Sequence, residues 1–130
     1  MNRKISSGSI FESAVGFSRA IVDGRYVHVA GTTGFDYAVM RISDSLIEQC
    51  HQCFRNIADA LAQAGCSLDD VVRVRYYLAD VGFFEELTPM LSQLFWSARP
   101  ATTAIVCQLV DPRMKVEIEV TALLREPVQA

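Results

Sequence analysis

Two glutamates near the end of the chain are placed where a carboxylate could do chemistry. In the segment Lys115–Val120, Glu117 and Glu119 alternate with apolar residues. Because side chains alternate between the two faces of a strand, this segment predicts a strand with both carboxylates on one face and an apolar second face. A carboxylate on a covered face is costly unless it is paired or hydrogen-bonded. These two residues are therefore candidates either for acid–base work or for ion pairs.

The pair Cys50-x-x-Cys53 has the spacing of redox and metal-binding motifs. A redox pair gains its low thiol pKa at a helix N-terminus, whereas this pair falls more than one turn inside a predicted helix. As a metal site it has only Cys66 and His28 as candidate further ligands, and a second paired knuckle is absent. We interpret the cysteines as small buried residues, and both His28 and His51 as structural. No metal or cofactor is expected.

The sequence lacks the common nucleotide-binding and serine-hydrolase motifs. It contains no G-x-x-x-x-G-K-[ST] and no G-x-G-x-x-G, so binding of a nucleotide has no support. It also contains no G-x-S-x-G, so a nucleophile elbow is not indicated.

The longest predicted element is a helix from about Asp44 to Ala64. Apolar residues recur along it at three- and four-residue steps. Ser45 and Glu48 have the spacing of a capping box. Gly65 follows at a position where a left-handed residue commonly ends a helix.

The other elements are predicted to be strands and one further helix. Turn residues at Asp23-Gly24 indicate a β-hairpin. After a strand over Val71–Ala79 and an irregular turn at Asp80–Leu87, Thr88-Pro89 looks like an N-cap followed by proline at the first helical position. Two last strands are predicted, over Ala101–Leu109 and over Lys115–Leu124.

The resulting order is β-β-α-β-α-β-β, which predicts an α+β fold with one mixed sheet and two helices on one face. The chain of 130 residues is expected to be a single domain over residues 1–130, in which residues 1–16 form an extended arm.

Composition excludes several classes of function. A net charge of −3 and few basic clusters argue against a nucleic-acid partner. No run of about 18 apolar residues is present, so no membrane partner is expected. The N-terminus has no apolar core of a secretory signal. We therefore expect a cytoplasmic protein with reduced cysteines.

The strand predicted over 101–110 is apolar on both faces, and such strands are normally buried on both. Two helices cover only one face of a sheet, so a second copy of the chain is the expected cover. For Glu117 and Glu119, which point to this face, two interpretations stay open. One is a salt bridge with Arg73 or Arg75, and the other is a polar lining of a pocket between subunits.

Several segments resemble the Rid (YjgF/YER/L-PSP) family. They are Arg99–Thr103, the run Asp111–Ala122, the hairpin end Val29-Ala30-Gly31 and the segment Ala64–Val72. The resemblance extends from about Val15 to Leu124. It implies a chorismate-mutase-like fold and a homotrimer whose sheets form a central β-barrel, with ligand sites in the clefts between subunits.

The resemblance also implies an activity and a set of site residues. The best-known members hydrolyse reactive imines and enamines such as 2-aminoacrylate to a 2-keto acid and ammonia. Glu117 matches the glutamate that positions or activates water, Gly31 the backbone glycine, and Phe17 the aromatic residue of the cleft. At the position of the arginine that clamps the substrate carboxylate this chain has Thr102, so that Glu117 is expected to face a threonine.

The threonine puts deamination of 2-aminoacrylate in doubt, because it removes a charge-assisted clamp. Arg75, Arg99 or Arg113 could supply a cation, and Arg75 is taken as a candidate ligand-binding residue. The resemblance favours a hydrolase acting on an imine, enamine or related metabolite, with a 2-imino or 2-keto acid as the candidate ligand. A non-catalytic trimer that binds or senses a metabolite is the alternative. The endoribonuclease activity after which some relatives are labelled fits poorly with an acidic chain.

Overall fold

The computed structural model describes residues 2–125. Within them the elements in chain order are β1 (Arg3–Ile5), α1 (Ile10–Val15), β2 (Ala20–Asp23), β3 (Tyr26–Thr33), β4 (Phe35–Asp36), β5 (Arg41–Ile42), α2 (Leu46–Ala64), β6 (Val71–Leu78), α3 (Phe83–Leu94), β7 (Ala101–Val106) and β8 (Val116–Leu123). A single 3-10 turn at Leu68–Asp70 leads into β6.

One six-stranded sheet with the strand order β1-β2-β3-β8-β6-β7 forms the framework. Its pairings are antiparallel except for β6 and β7, which are parallel and are joined through α3. Strands β4 and β5 form a separate two-stranded ribbon. The predicted α+β fold with one mixed sheet is therefore confirmed, although the described chain contains three α-helices and not two.

Helix α2 begins and ends where its sequence predicts. The Ser45 hydroxyl accepts a hydrogen bond from the Glu48 backbone N–H at 3.2 Å. Gly65 takes the left-handed conformation with φ of 90° and ends the helix. The face that α2 turns to the sheet carries Cys50 and Cys53, both fully buried among apolar side chains. Burial raises the pKa of the Cys50 thiol to about 12, so the interpretation of these cysteines as core residues is confirmed.

Helix α3 begins six residues before the predicted start. It starts at Phe83, where the Asp80 carboxylate accepts a hydrogen bond from the Gly82 backbone N–H at 2.8 Å. Pro89 lies inside the helix, not at its first position. The predicted turn at Asp80–Leu87 is confirmed for residues 80–82 and wrong for residues 83–87, which are helical and bury Leu87 in the core.

The N-terminal residues also differ from the extended arm that the sequence predicts. Ile5 is buried because β1 pairs with β2 at the sheet edge. Helix α1 follows, with the Ser9 hydroxyl accepting from the Phe11 backbone N–H at 3.1 Å and Gly16 in the left-handed conformation at its end. Burial of the Ile5 side chain and the two caps supply the local stability that composition alone does not reveal.

The two faces of the sheet differ as predicted for β8. Val116, Ile118 and Val120 are buried against the helices, whereas Glu117 and Glu119 point to the opposite, open face. Strand β7 lies at the sheet edge and is exposed along its whole length in the single chain.

The part of the chain that the structure describes has no helix long and apolar enough to cross a membrane. Within the same residues, no three His, Cys, Asp or Glu side chains gather where they could hold a metal ion.

Candidate active site

Glu117 lies against a glycine at an irregularity of the central strands. In β8 it is paired with Thr33 of β3 and with Tyr77 of β6. The register of β3 against β8 shifts between Val29 and Thr32, and Gly31 lies within that shift. A Cβ atom on Gly31 would lie 2.1 Å from Oε2 of Glu117. The carboxyl group therefore occupies space that only a glycine leaves free.

A buried arginine holds the same glycine from its carbonyl side. Nη1 of Arg19 donates to the carbonyl oxygen of Gly31 at 2.9 Å and to Oγ1 of Thr32 at 3.1 Å. The guanidinium carbon lies 5.4 Å from the ring centre of Phe17 and 4.7 Å from that of Tyr37. Arg19 is only 2% exposed. Gly31 is thus placed between a carboxyl group and a guanidinium group.

Arg19 is the residue of this site that the sequence analysis missed. A usable signal exists, because Arg19 stands directly before the apolar start of β2 and two residues after Phe17. An arginine next to a buried strand and an aromatic residue is well suited to stacking on a ring while its fork bonds to backbone.

The environment of Glu117 changes its acidity. Burial raises the pKa of the Glu117 carboxyl group above its ordinary value of 4.5; the charge of Arg19 acts to lower it and that of Glu119 to raise it. Among residues 2–125, Glu117 has no ion-pair partner within 4 Å. A half-buried carboxylate of this kind accepts a proton more readily near neutral pH than an exposed one does.

Glu119, two residues further along β8, differs from Glu117 because it has hydrogen-bond donors within the chain. It accepts from Nη1 of Arg75 at 3.1 Å and from the hydroxyl group of Tyr77. Of the two interpretations left open for these glutamates, the salt bridge with Arg75 is observed for Glu119. Arg75, Glu119 and Arg73 line a cavity of about 180 Å³ on the open face. Within one chain Arg75 therefore bonds to Glu119 and not to the Glu117 carboxyl group.

Phe17 is half-buried and lies at a groove of about 660 Å³ on the open side of the hairpin. The groove is bordered by Gly16 and Ser18 beside the aromatic ring and by Ala30 at the end of β3. The structure thus brings Phe17, Gly31 and Glu117 to one region of the sheet, connected through Arg19.

Thr102 lies elsewhere in the single chain. It sits on edge strand β7, where it pairs with Val74, while Glu117 pairs with Tyr77 three positions further along β6. Paired residues share a face and successive residues alternate, so Thr102 and Glu117 point to opposite faces. Within one chain β6 separates the two strands, so that Thr102 could face Glu117 only from a neighbouring subunit.

The other two candidate cations are engaged outside this region. Arg99 stacks on Trp96, with its guanidinium carbon 4.2 Å from the ring centre. Arg113 forms an ion pair with Asp111 at 2.7 Å. In one chain neither is free to replace the arginine that the resemblance expects at position 102.

Comparison with known proteins gives the class to which this fold and site belong. The sequence model of the family described as Endoribonuclease L-PSP matches residues 8–124. The crystal structure of Rv2704 from Mycobacterium tuberculosis, a member of the YjgF/YER057c/UK114 family, superimposes with a TM-score of 0.86 at 41% identity, covering 95% of this chain and 100% of that one. The chain therefore belongs to this family, also called Rid, and the resemblance and the YjgF/L-PSP fold are confirmed.

Two curated relatives show the range of names within the family. Protein SCO2049 of Streptomyces coelicolor is 36% identical over 121 residues, covering 92% of this chain and 90% of that protein. The 2-iminobutanoate/2-iminopropanoate deaminase of Capra hircus is 30% identical over 123 residues, covering 93% of this chain and 90% of the deaminase.

Proposed function

We propose that this chain is a homotrimeric hydrolase of the imine and enamine deaminase type, with a small-molecule site in each cleft between subunits. The observation that carries the proposal is the Glu117 carboxyl group, which is held against Gly31 without an ion-pair partner among the described residues and with a raised pKa. The name of the deaminase relative supports the same reaction type at 30% identity. The protein acts in the cytoplasm and needs neither metal nor cofactor.

The reaction needs one group that takes a proton and returns it. The Glu117 carboxylate accepts a proton from water while the water oxygen bonds to the imine carbon, and the electrons of the C=N π bond move to nitrogen. The protonated Glu117 then returns the proton to nitrogen. Glu117 next accepts the hydroxyl proton of this carbinolamine as the carbonyl group forms and gives that proton to the same nitrogen, so that the C–N bond breaks and neutral ammonia leaves. An enamine enters this sequence after tautomerising to the imine.

The remaining proposed site residues bind rather than react. Phe17 covers the ligand with its ring, and Gly31 lets the ligand approach the backbone beside Glu117. Thr102 comes from the edge strand of a neighbouring subunit and offers a hydroxyl group to a 2-imino or 2-keto acid. Arg75 supplies positive charge on the same open face as Glu117.

The exposed edge strand supports the trimer. Strand β7 has no partner on its outer side within the described chain, and its residues Ile105 and Val106 are exposed apolar side chains. A second copy that covers this strand would bury them and would bring its neighbour's Thr102 toward the Glu117 side. Closed rings of identical subunits are the usual way to cover such an edge.

The experiment that tests the function generates 2-iminopropanoate from an amino acid oxidase in situ and measures release of ammonia and keto acid. Wild type is expected to accelerate release over the uncatalysed rate, and Glu117→Gln to abolish the acceleration. A wild-type chain that binds a keto acid in a titration but accelerates nothing would instead identify the non-catalytic metabolite-binding trimer. Activity that survives in Glu117→Gln would contradict the role of Glu117.

A further inference from the structure

Arg19 is more deeply buried than any ordinary surface arginine, and its contacts are unusual for a structural cation. Its guanidinium group bonds only to uncharged oxygens, the Gly31 carbonyl and the Thr32 hydroxyl. Its Nε atom is buried and has no hydrogen-bond partner. Among residues 2–125 it forms no ion pair within 4 Å. Burying a charge in this way is costly, and attraction to the buried Glu12 carboxylate, whose pKa Arg19 helps to lower, offsets part of that cost.

The bonds of Arg19 act on the part of β3 that Glu117 needs. Gly31 lies at the irregularity of β3, where regular ladder hydrogen bonds are interrupted. A bulge without such bonds depends on other partners to keep its geometry. Nη1 of Arg19 supplies that partner at the Gly31 carbonyl, 2.9 Å away. The rings of Phe17 and Tyr37 hold the guanidinium group from its sides.

The charge of Arg19 also reaches Glu117. The titratable groups around Glu117 are Arg19, which precedes β2, Glu119 on β8 itself, the Cys53 thiol of α2 and Tyr77 on β6. Glu119 is already paired with Arg75, and the pKa of the Cys53 thiol is raised well above its ordinary value by burial, which keeps that group neutral. Arg19 is therefore the cation that stabilises the ionised form of Glu117.

We propose that Arg19 is the positioning residue of this site: it fixes the Gly31 bulge against which the Glu117 carboxyl group lies and keeps that group in the form able to accept a proton. The inference rests on the proposed function for its catalytic meaning. The positioning itself is a property of the folded protein, because Arg19 is buried and acts through Gly31 and Thr32.

The test is a titration of the Glu117 carboxyl carbon by 13C NMR, with Glu117→Gln used to assign the signal. Three proteins are compared with wild type. Arg19→Gln removes the charge and keeps a hydrogen-bond donor, whereas Arg19→Lys keeps the charge and loses the planar fork. Arg41→Gln removes the same charge from an exposed position of β5 and serves as the matched control.

The expected result is an upward shift of the Glu117 titration in Arg19→Gln, a smaller shift in Arg19→Lys, and none in Arg41→Gln. If deamination is present, the acidic limb of kcat/KM moves to higher pH in Arg19→Gln by the same amount. An unchanged Glu117 titration in Arg19→Gln would overturn the proposal. If Arg19→Gln does not fold, as judged by its amide spectrum, Arg19→Lys is titrated instead. A Glu117 pKa in folded Arg19→Lys equal to that of wild type would show that the planar guanidinium group is not needed to position Glu117. Since the titration needs no turnover, an inert wild type would refute the deaminase and leave this result standing.

Discussion

The carboxyl group of Glu117 fills the place where Gly31 would carry a side chain. Its Oε2 atom lies 2.1 Å from the position of a Cβ on that glycine, far inside any contact between non-bonded atoms. Gly31 of β3 and Glu117 of β8 are distant in sequence, but on these adjacent strands the missing side chain of the first makes room for the carboxyl group of the second. The predictions that follow depend on this match and on the charges around it.

Replacement of Gly31 by alanine is expected to displace the Glu117 carboxyl group. Because Oε2 is the end of a flexible side chain that can turn away from the new methyl group, Gly31→Ala should lower the free energy of unfolding by only about 1 kcal/mol, the usual cost of a side chain forced off its rotamer, and remove most deaminase activity. Chemical denaturation measures the first effect. In Gly82→Ala, the matched control, the Cβ would lie at an ordinary 3.4 Å from Asp80, so little change is expected. If the clash is the cause, the cost of Gly31→Ala shrinks in a Glu117→Ala background.

The two glutamates of β8 should differ in their effect on catalysis. Glu117→Gln is expected to reduce kcat by roughly 10²–10⁴-fold, the usual contribution of a general base. Glu119→Gln breaks the pair with Arg75 and should mainly reduce stability. Steady-state kinetics on both variants make the comparison. Equal losses of kcat in the two variants would show that the open face, and not Glu117 alone, carries the chemistry.

The raised pKa of Glu117 also makes a prediction about stability. A carboxyl group with a raised pKa binds its proton more tightly in the folded than in the unfolded chain. Its contribution to the free energy of unfolding is therefore highest at low pH, and falls as the pH rises from the ordinary value of 4.5 through the folded-state pKa. Glu117→Gln removes this penalty. The difference in unfolding free energy between Glu117→Gln and wild type should grow with pH over this window, and a constant difference would contradict the shift.

Restoring an arginine at position 102 tests the cleft between subunits. Thr102→Arg supplies a charge-assisted clamp for a substrate carboxylate, and kcat/KM for 2-iminopropanoate should rise roughly 10- to 100-fold. Val81→Arg adds the same charge at a residue outside β7 that is 78% exposed, and serves as the control. A gain in both variants would show that added positive charge, rather than its position, improves binding.

The oligomer itself can be checked by light scattering. The expected mass is three times the chain mass of 14.4 kDa. Ile105→Arg places a charge beside Tyr77 on the open face and should dissociate the assembly. Val81→Arg changes a residue that is 78% exposed before α3 and should leave the mass unchanged. A stable monomer of the wild-type chain would contradict the trimer and with it the shared cleft.

Local patterns predicted the elements that depend on local interactions. Helix α2 was predictable because its periodic apolar face, Ser45 cap and Gly65 stop all lie within the helix or next to it. The start of α3 was not, because Leu87 becomes part of the core only through tertiary packing. The local pair Thr88-Pro89 instead predicted that the helix starts at the proline.

The site residues also separate into those that local sequence predicts and those that depend on tertiary packing. Alternation along β8 correctly placed Glu117 and Glu119 on one face, and the salt bridge to Arg75 was one of the weighed interpretations. The contact between Gly31 and Glu117 depends on a register shift that no spacing encodes. Arg19 was missed for a related reason, since its partners are a backbone carbonyl and a threonine hydroxyl contributed by another strand.

The last strand of the described chain, β8, lies in the middle of the sheet, between β3 and β6. During synthesis the strands on either side emerge first, and each exposes an unpaired edge until β8 arrives. Glu117 travels on that final strand, so the site comes into existence only at the step that joins the two halves of the sheet. A shortened product lacking β8 would hold Arg19 and Gly31 without a carboxyl group and would carry two edges open to aggregation. Completion of the sheet and placement of Glu117 beside Gly31 and Arg19 are therefore one event.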